Sequence, residues 1–290
     1  MKVQSFFYNK THRLRTLWRI LIFCGLLSIT ILPLIFIDNS HLQFFGALLI
    51  LIFGLYINSK FLDKIRFSDY GLSFKKKTFG HLSIGILIGS LAVLLIFVIG
   101  QTLGTLTVYK AISVPKLDLI LPFALKMLLV AILEETFFRG YLFTTIYDGL
   151  KSSSMTKRHA LITALVLSSV IFGVAHFSNN NASIMSIIFL SINGMVWCIP
   201  FVVTRNLGFS IGLHASWNFT QTLIGFSMSG NEALNSFYII QTNEGSIFSG
   251  GAYGPEAGLL GLLGFFAMLV FSLAYLKLTK KRQFRELRPR

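Results

Sequence analysis

The sequence predicts an all-α polytopic integral membrane protein with about eight transmembrane helices and both termini in the cytoplasm. Three observations carry that expectation. Only 13% of the 290 residues are charged and 54% are hydrophobic, with a mean hydropathy of +0.70, whereas a soluble domain carries nearer a quarter charge. The apolar residues fall in runs that approach or exceed the roughly 20 residues needed to cross a hydrocarbon core. Lys and Arg are segregated to one side of those runs.

The elements follow in order. Residues 1–19 form a basic tail with Lys2, Lys10, Arg13, Arg15 and Arg19. Residues 17–37 are a first span; no small-x-small cleavage site follows, so it reads as a retained helix. After the turn Asp38, Asn39 and Ser40, residues 41–57 are a second, shorter span. Residues 58–78 alternate bases with Phe61, Leu62, Ile65, Phe67, Tyr70 and Leu72, a pattern suited to the membrane surface. Residues 79–104 are the third span, with glycines that permit close helix packing. The fourth runs over 117–147 and the fifth over 159–177, ending in a small polar turn at 178–181. The sixth covers 182–203 and the seventh 207–228. A Gly-rich loop at 229–256 lacks Lys and Arg, and an eighth span over 257–278 leads to a basic tail.

With the N-terminus inside and the spans alternating, 22 of the 26 bases lie on the inner side. Lys110 and Lys116 lie outside, and Lys126 and Arg139 lie within the fourth span. The positive-inside rule then orients the protein with both termini in the cytoplasm of a multi-pass cell membrane, here read as a bacterial plasma membrane. The net charge of +15 is thereby explained by topology and by contact with the lipid bilayer. Nucleic acid is not an expected partner, because no soluble domain presents a basic face. Cys24 and Cys198 sit in apolar runs and read as small core residues.

Ionisable groups at hydrocarbon depth cost several kcal/mol and mark functional sites by default. Glu134, Glu135 and Arg139 lie in the fourth span, Phe172 and His176 in the fifth, and His214 and Asn218 in the seventh. Glu135 and Arg139 are spaced i, i+4 and share a helix face; Glu134 is turned about 100° away. A buried carboxylate can take a proton from water, a histidine can orient that water, and a second histidine with an amide can donate to an oxyanion. A G-x-S-x-G string occurs at 208–212, but it lies within an apolar span and not at the strand-to-helix turn of a nucleophile elbow; no H-E-x-x-H helix is present. Zinc held by His176, His214 and Glu134 stays open. An ion-coupled transporter would also bury such charges, but no internal repeat is evident. A non-catalytic immunity or scaffold protein is a third reading.

The motifs E-E-x-x-x-R at 134–139, F-x-x-x-H at 172–176 and H-x-x-x-N at 214–218 resemble those of the type II CAAX prenyl endopeptidase and bacteriocin-processing family. The resemblance covers about 117–228. It divides the chain into an N-terminal three-span region (1–116), a catalytic core (117–228) and a closing region (229–290). It implies an eight-helix intramembrane endopeptidase whose site opens to the cytoplasm. In that reading Glu134 is the general base, assisted by His176. His214 and Asn218 stabilise the oxyanion, Glu135 acts through its environment with Arg139, and Phe172 supports. No cofactor is required by the glutamate mechanism. The substrate is a membrane-associated, lipidated or secreted peptide, or a membrane-protein segment, with bacteriocin immunity and peptide processing as associated roles. One difficulty is geometric: His176 falls near the outer end of its span, whereas His214 falls about 10 Å from the inner end of its own.

Overall fold

The computed structural model describes residues 6–9, 12–111, 114–151, 155–233, 235–242 and 247–286, with side chains in the last helix described through Thr279. Lys2, Lys10, Arg288 and Arg290 of the basic tails lie outside the described residues. The chain is mostly helical. α1 is Thr16–Ile31, extended by a 3₁₀ turn at Leu32–Phe36; α2 is Ser40–Phe61; and α3 is Lys76–Thr102. α4, Leu117–Glu135, continues through a π-helical stretch, Thr136–Phe143, into α5, Thr144–Lys151. α6 is Lys157–Ala175, α7 Ile184–Thr204, α8 Gly208–Ile224 and α9 Leu259–Glu286. The departure from an all-helical chain is a small antiparallel pair, β1 Thr107–Lys110 and β2 Tyr238–Gln241, with Thr107 opposite Gln241. It ties the α3–α4 connection to the loop after α8.

Six helical stretches among the described residues are long and apolar enough to cross a membrane: Thr16–Phe36, Ser40–Phe61, Lys76–Thr102, Lys157–Ala175, Ile184–Thr204 and Leu259–Thr279. Their outward faces carry large exposed hydrophobics such as Leu21, Phe53, Leu91, Ile171 and Phe266, as lipid contact requires. The two other expected spans fall short for stated reasons. α4 carries Asp118, Lys126, Glu134 and Glu135 within its length. α8 has 17 residues and buries Ser210, His214, Ser216, Asn218 and Gln221. These two helices carry most of the polar side chains of the predicted site.

Two polar ties mark the ends of the bundle. At one, His41 Nε2 lies 2.9 Å from the Pro122 carbonyl oxygen. At the other, Asp63 is a buried hub. It accepts from Arg19 Nη1 at 2.6 Å, Asn58 Nδ2 at 2.8 Å, the Tyr70 hydroxyl at 2.7 Å and Thr145 Oγ1 at 2.9 Å. Burial raises the Tyr70 phenol well above its ordinary range, so it stays a donor to Asp63. From Pro122 to Thr145 is about 34 Å along the helix, close to the ~30 Å of a hydrocarbon core. Glu134 lies near the midpoint of that distance.

The 58–78 segment therefore differs from the surface strip its pattern suggested. Asp63 and Tyr70 are 1% and 0% exposed, because they plug the end of the bundle, while Lys60 and Arg66 remain outside. Gly71 ends the Phe67–Tyr70 turn in the left-handed region, at φ 83°, a conformation open mainly to glycine.

α3 and α8 cross at Gly85 and Gly212, where a Cβ on Gly212 would run into the Leu82 carbonyl oxygen. That approach sets the depth and rotation of α8. Cys24 and Cys198 are free thiols, half-buried and buried. One cluster of buried side chains, running from Phe23 to Leu276, unites the helices.

The Asp63 hub generates a stability prediction. Asp63→Ala takes the nearer carboxylate from the buried Arg19 guanidinium, leaving Asp148 at 3.5 Å, and removes the acceptor of three further donors; breaking such a buried pair costs roughly 3–5 kcal/mol. Thermal unfolding of the detergent-purified protein should show that loss, and Arg19→Met combined with Asp63→Leu should recover part of it. A midpoint unchanged in Asp63→Ala would show that the hub does not hold the bundle.

Candidate active site

The site begins with the break in helical winding after Glu135. π-helical stretches are rare and cluster at functional positions. Here the stretch begins at Thr136, directly after the acidic pair. It carries Gly140 so close to the Tyr70 carbonyl oxygen that a Cβ would collide with it. The winding aims Arg139 into the protein, where it is 2% exposed. Arg139 Nη1 lies 3.1 Å from Glu135 Oε1, its Nη2 donates to the Gly194 carbonyl at 3.3 Å, and its guanidinium sits 4.3 Å from the Phe172 ring centroid. The i, i+4 pairing expected from the sequence is present, and Glu135 is completely buried.

Glu135 Oε1 also accepts from His214 Nδ1 at 2.9 Å. That contact fixes the imidazole ring, whose outer nitrogen, Nε2, faces Glu134 Oε2 at 3.9 Å. His214 is further held by Trp197, stacked on it at a centroid distance of 4.1 Å. From the other side His176 Nε2 approaches the same Glu134 oxygen, also at 3.9 Å. His176 Nδ1 donates to the Phe172 carbonyl at 2.8 Å, which leaves Nε2 of the neutral ring as an acceptor. Glu134 Oε2 is buried and makes no hydrogen bond among the described residues. Gaps of 3.9 Å are too long for direct hydrogen bonds and suit a water shared between the groups. Asn218, one turn beyond His214, is 7% exposed and lines the same space.

The two acids therefore have separate surroundings. Glu135 is neutralised by Arg139 and His214, whereas Glu134 turns to a cavity of about 630 Å³. The cavity floor is Glu134, Phe138, Phe172, His176, Trp197 and His214. Its walls climb α4 along one face through Val130, Lys126 and Phe123 to Leu119, and climb α8 through Asn218 to Leu223. The mouth lies among Asn231, Glu232 and Asn235. This is the base-poor end of the bundle, beside the His41–Pro122 tie and away from the Asp63 hub. The resemblance implied an opening on the base-rich, cytoplasmic side; on that side the floor is closed by the buried Phe138, Phe172, Trp197 and Arg139.

The depth difficulty resolves through α6. Phe172 packs on Gly194 of α7. Gly194 lies about 15 Å from the α7 end at Thr204, whereas Phe172 lies about 22 Å from the α6 start at Lys157. α6 thus begins about 7 Å beyond the level where α7 ends, and its C-cap His176 stops inside the bundle. The polar turn after it then sits at depth, where Asn179 Nδ2 donates to the Ser229 carbonyl at 3.3 Å.

Two residues of the site were not anticipated. Trp197 lies in an apolar run with no signal to separate it from packing. Glu256, in the Gly-rich loop, is 1% exposed and lines the cavity. It accepts from Trp217 Nε1 at 3.3 Å and from the Ser229 backbone and hydroxyl, each at 2.8 Å. Desolvation pushes its carboxyl above the ordinary range, with Ser229 and His176 opposing. A single acid between Gly254–Pro255 and Ala257–Gly258 was the available signal.

His176, His214 and Glu134 are a chemically suitable zinc donor set. Among the described residues, no group of three His, Cys, Asp or Glu side chains has the spacing to hold a metal ion.

Residues 116–220 match the family model described as type II CAAX prenyl endopeptidase Rce1-like, the family that the three motifs resemble. No curated protein and no solved structure matches the chain. The matched stretch holds all three motifs and is similar to that peptidase family.

The separate surroundings of the two acids predict separate mutant phenotypes. Glu135→Gln leaves Arg139 without its buried countercharge and should lower purified yield and thermal stability by a few kcal/mol. Glu134→Gln faces a cavity and should leave both near wild type. Equal destabilisation by the two substitutions would contradict this division.

Proposed function

We propose that this chain is an intramembrane endopeptidase that hydrolyses a peptide bond of a membrane-associated, lipidated or secreted peptide by glutamate-activated water. The observation that carries the reading is the convergence of two imidazole Nε2 atoms, each 3.9 Å from Glu134 Oε2, on the floor of a cavity. A water seated among them gives its proton to Glu134 as its oxygen attacks the peptide carbonyl. His176 Nε2, held as an acceptor by the Phe172 carbonyl, orients that water. Protonated, His214 donates from both ring nitrogens, with Nδ1 held on Glu135 Oε1. Its Nε2–H and the Asn218 amide then face the developing oxyanion. Glu134 next passes its proton to the leaving amine. Arg139 and Phe172 act by holding Glu135 and His176, and touch no reacting atom.

The topology proposed with this function has eight spans, α4 and α8 completing the six apolar ones, with both termini in the cytoplasm. The charge distribution supports it. The cavity mouth then faces outward, so the substrate is met after translocation or on the outer part of a membrane protein.

Two measurements test the reading. With membrane proteomes used to find the lost cleavage product, Glu134→Gln should reduce cleavage about 100- to 10,000-fold while the protein still accumulates. Asn218→Ala should reduce it roughly 100- to 1,000-fold, and cleavage should survive a chelator. Full activity in Glu134→Gln removes the base; loss in chelator with return on added zinc makes the site a metal site. For sidedness, Asn231→Cys in a protein lacking Cys24 and Cys198 should react with an impermeant maleimide in intact cells. Labelling confined to inverted vesicles would reverse the orientation.

A further inference from the structure

We propose that Lys126 is an anion receptor within the cavity, binding a carboxylate of the bound peptide about 12 Å along α4 from Glu134. The inference deepens the peptidase reading and rests on it only for the role of Glu134.

Lys126 lies in the membrane-spanning part of α4, about 6 Å inward from the His41–Pro122 tie. A cation at such depth is retained with a partner or in a wet cavity. Its ammonium lies 5.9 Å from the Phe44 ring centroid, across the cavity wall from α2. Among the described residues Lys126 pairs with the Phe44 ring and with no carboxylate. Among the residues lining the cavity it is the sole Lys or Arg. Glu256, the buried acid near the floor, is already engaged by Trp217 and Ser229.

On α4 the wall between Lys126 and Glu134 is apolar, formed by Met127 and Val130, and on α8 it carries Leu223 beside Thr222 and Asn218. The space therefore combines a reactive carboxylate at one end, a channel with an apolar α4 wall, and a single positive charge at the other. Its complement is an extended apolar peptide with a carboxylate at a defined distance from the bond to be cut. An extended chain advances about 3.3 Å per residue, so the charge belongs to a residue several positions from the Glu134 end. The carboxylate comes either from a free C-terminus or from an Asp or Glu side chain. In both cases Lys126 acts as a specificity determinant and takes no part in proton transfer.

The test measures binding to full-length Glu134→Gln protein in detergent, so that no turnover occurs. Three probes share one apolar sequence: a peptide with a free C-terminal carboxylate, its C-terminal amide, and the amide with Glu near the end. Tryptophan fluorescence reports occupancy through Trp197 in the cavity floor. At least one carboxylate peptide should bind about tenfold or more tightly than the neutral amide, as expected for a charge-assisted contact. Whichever does so identifies the source of the carboxylate. Adding Lys126→Met should remove the preference, and Lys126→Arg should keep it, with thermal midpoints unchanged in both. A preference that survives Lys126→Met overturns the proposal. So does the absence of any preference, or of measurable binding by every probe. If Lys126→Met does not fold, Lys126→Gln with the same probes decides. A Lys126-dependent preference in a protein that never cleaves would keep the receptor and remove the peptidase reading.

Discussion

The structure depends on one constraint: a guanidinium and two carboxylates stand near the middle of an apolar bundle. Coulomb attraction between Arg139 and Glu135 at 3.1 Å does not by itself repay the desolvation of both groups. The remaining valences must be met, and much of the surrounding architecture does this. Gly194 offers a carbonyl, Phe172 an aromatic face, and His214 an imidazole N–H. Each comes from a different helix, so the ion pair draws α6, α7 and α8 to α4 and fixes their rotation. The π-helical stretch is the local means, because it turns Arg139 inward immediately after Glu135.

Glu134 is left facing the cavity because Glu135 is so completely engaged. Adjacent acids point about 100° apart on a helix, and only one of them can share the Arg139 face. The other meets two imidazoles held by groups that are not themselves reactive: Phe172 O for His176, and Glu135 with the Trp197 ring for His214. Such support fixes the orientation of both rings.

Packing sets the depth at which these groups meet. The glycine crossing of α3 and α8 lets backbone approach backbone, and holds a 17-residue helix that is short and polar for a span. α6 overshoots α7 at one end and stops inside at the other. The two histidines, mismatched in depth by sequence position, become level. The same arrangement closes the floor with aromatic rings on the base-rich side and leaves the cavity open on the base-poor side. Sidedness of the cavity is thus a product of helix offset, and a motif pattern carries no information about it.

The sequence by itself determined the mostly helical class, six helices long and apolar enough to cross a membrane, the segregation of bases and the residues of the three motifs. These are local properties: run length, charge and i, i+4 spacing are written along the chain. It also foretold that Arg139 would quiet Glu135, because both lie on one helix. The tertiary structure decided what depends on relations between helices. It decided that Glu256 and Trp197 join the cavity, that Asp63 and Tyr70 leave the surface for the bundle end, and that Lys126 faces the cavity. It also decided which end of the cavity opens. None of these follows from composition or periodicity, because each is set by helix offset and rotation, and those are fixed by buried charge pairing and close glycine contact between segments far apart in the chain.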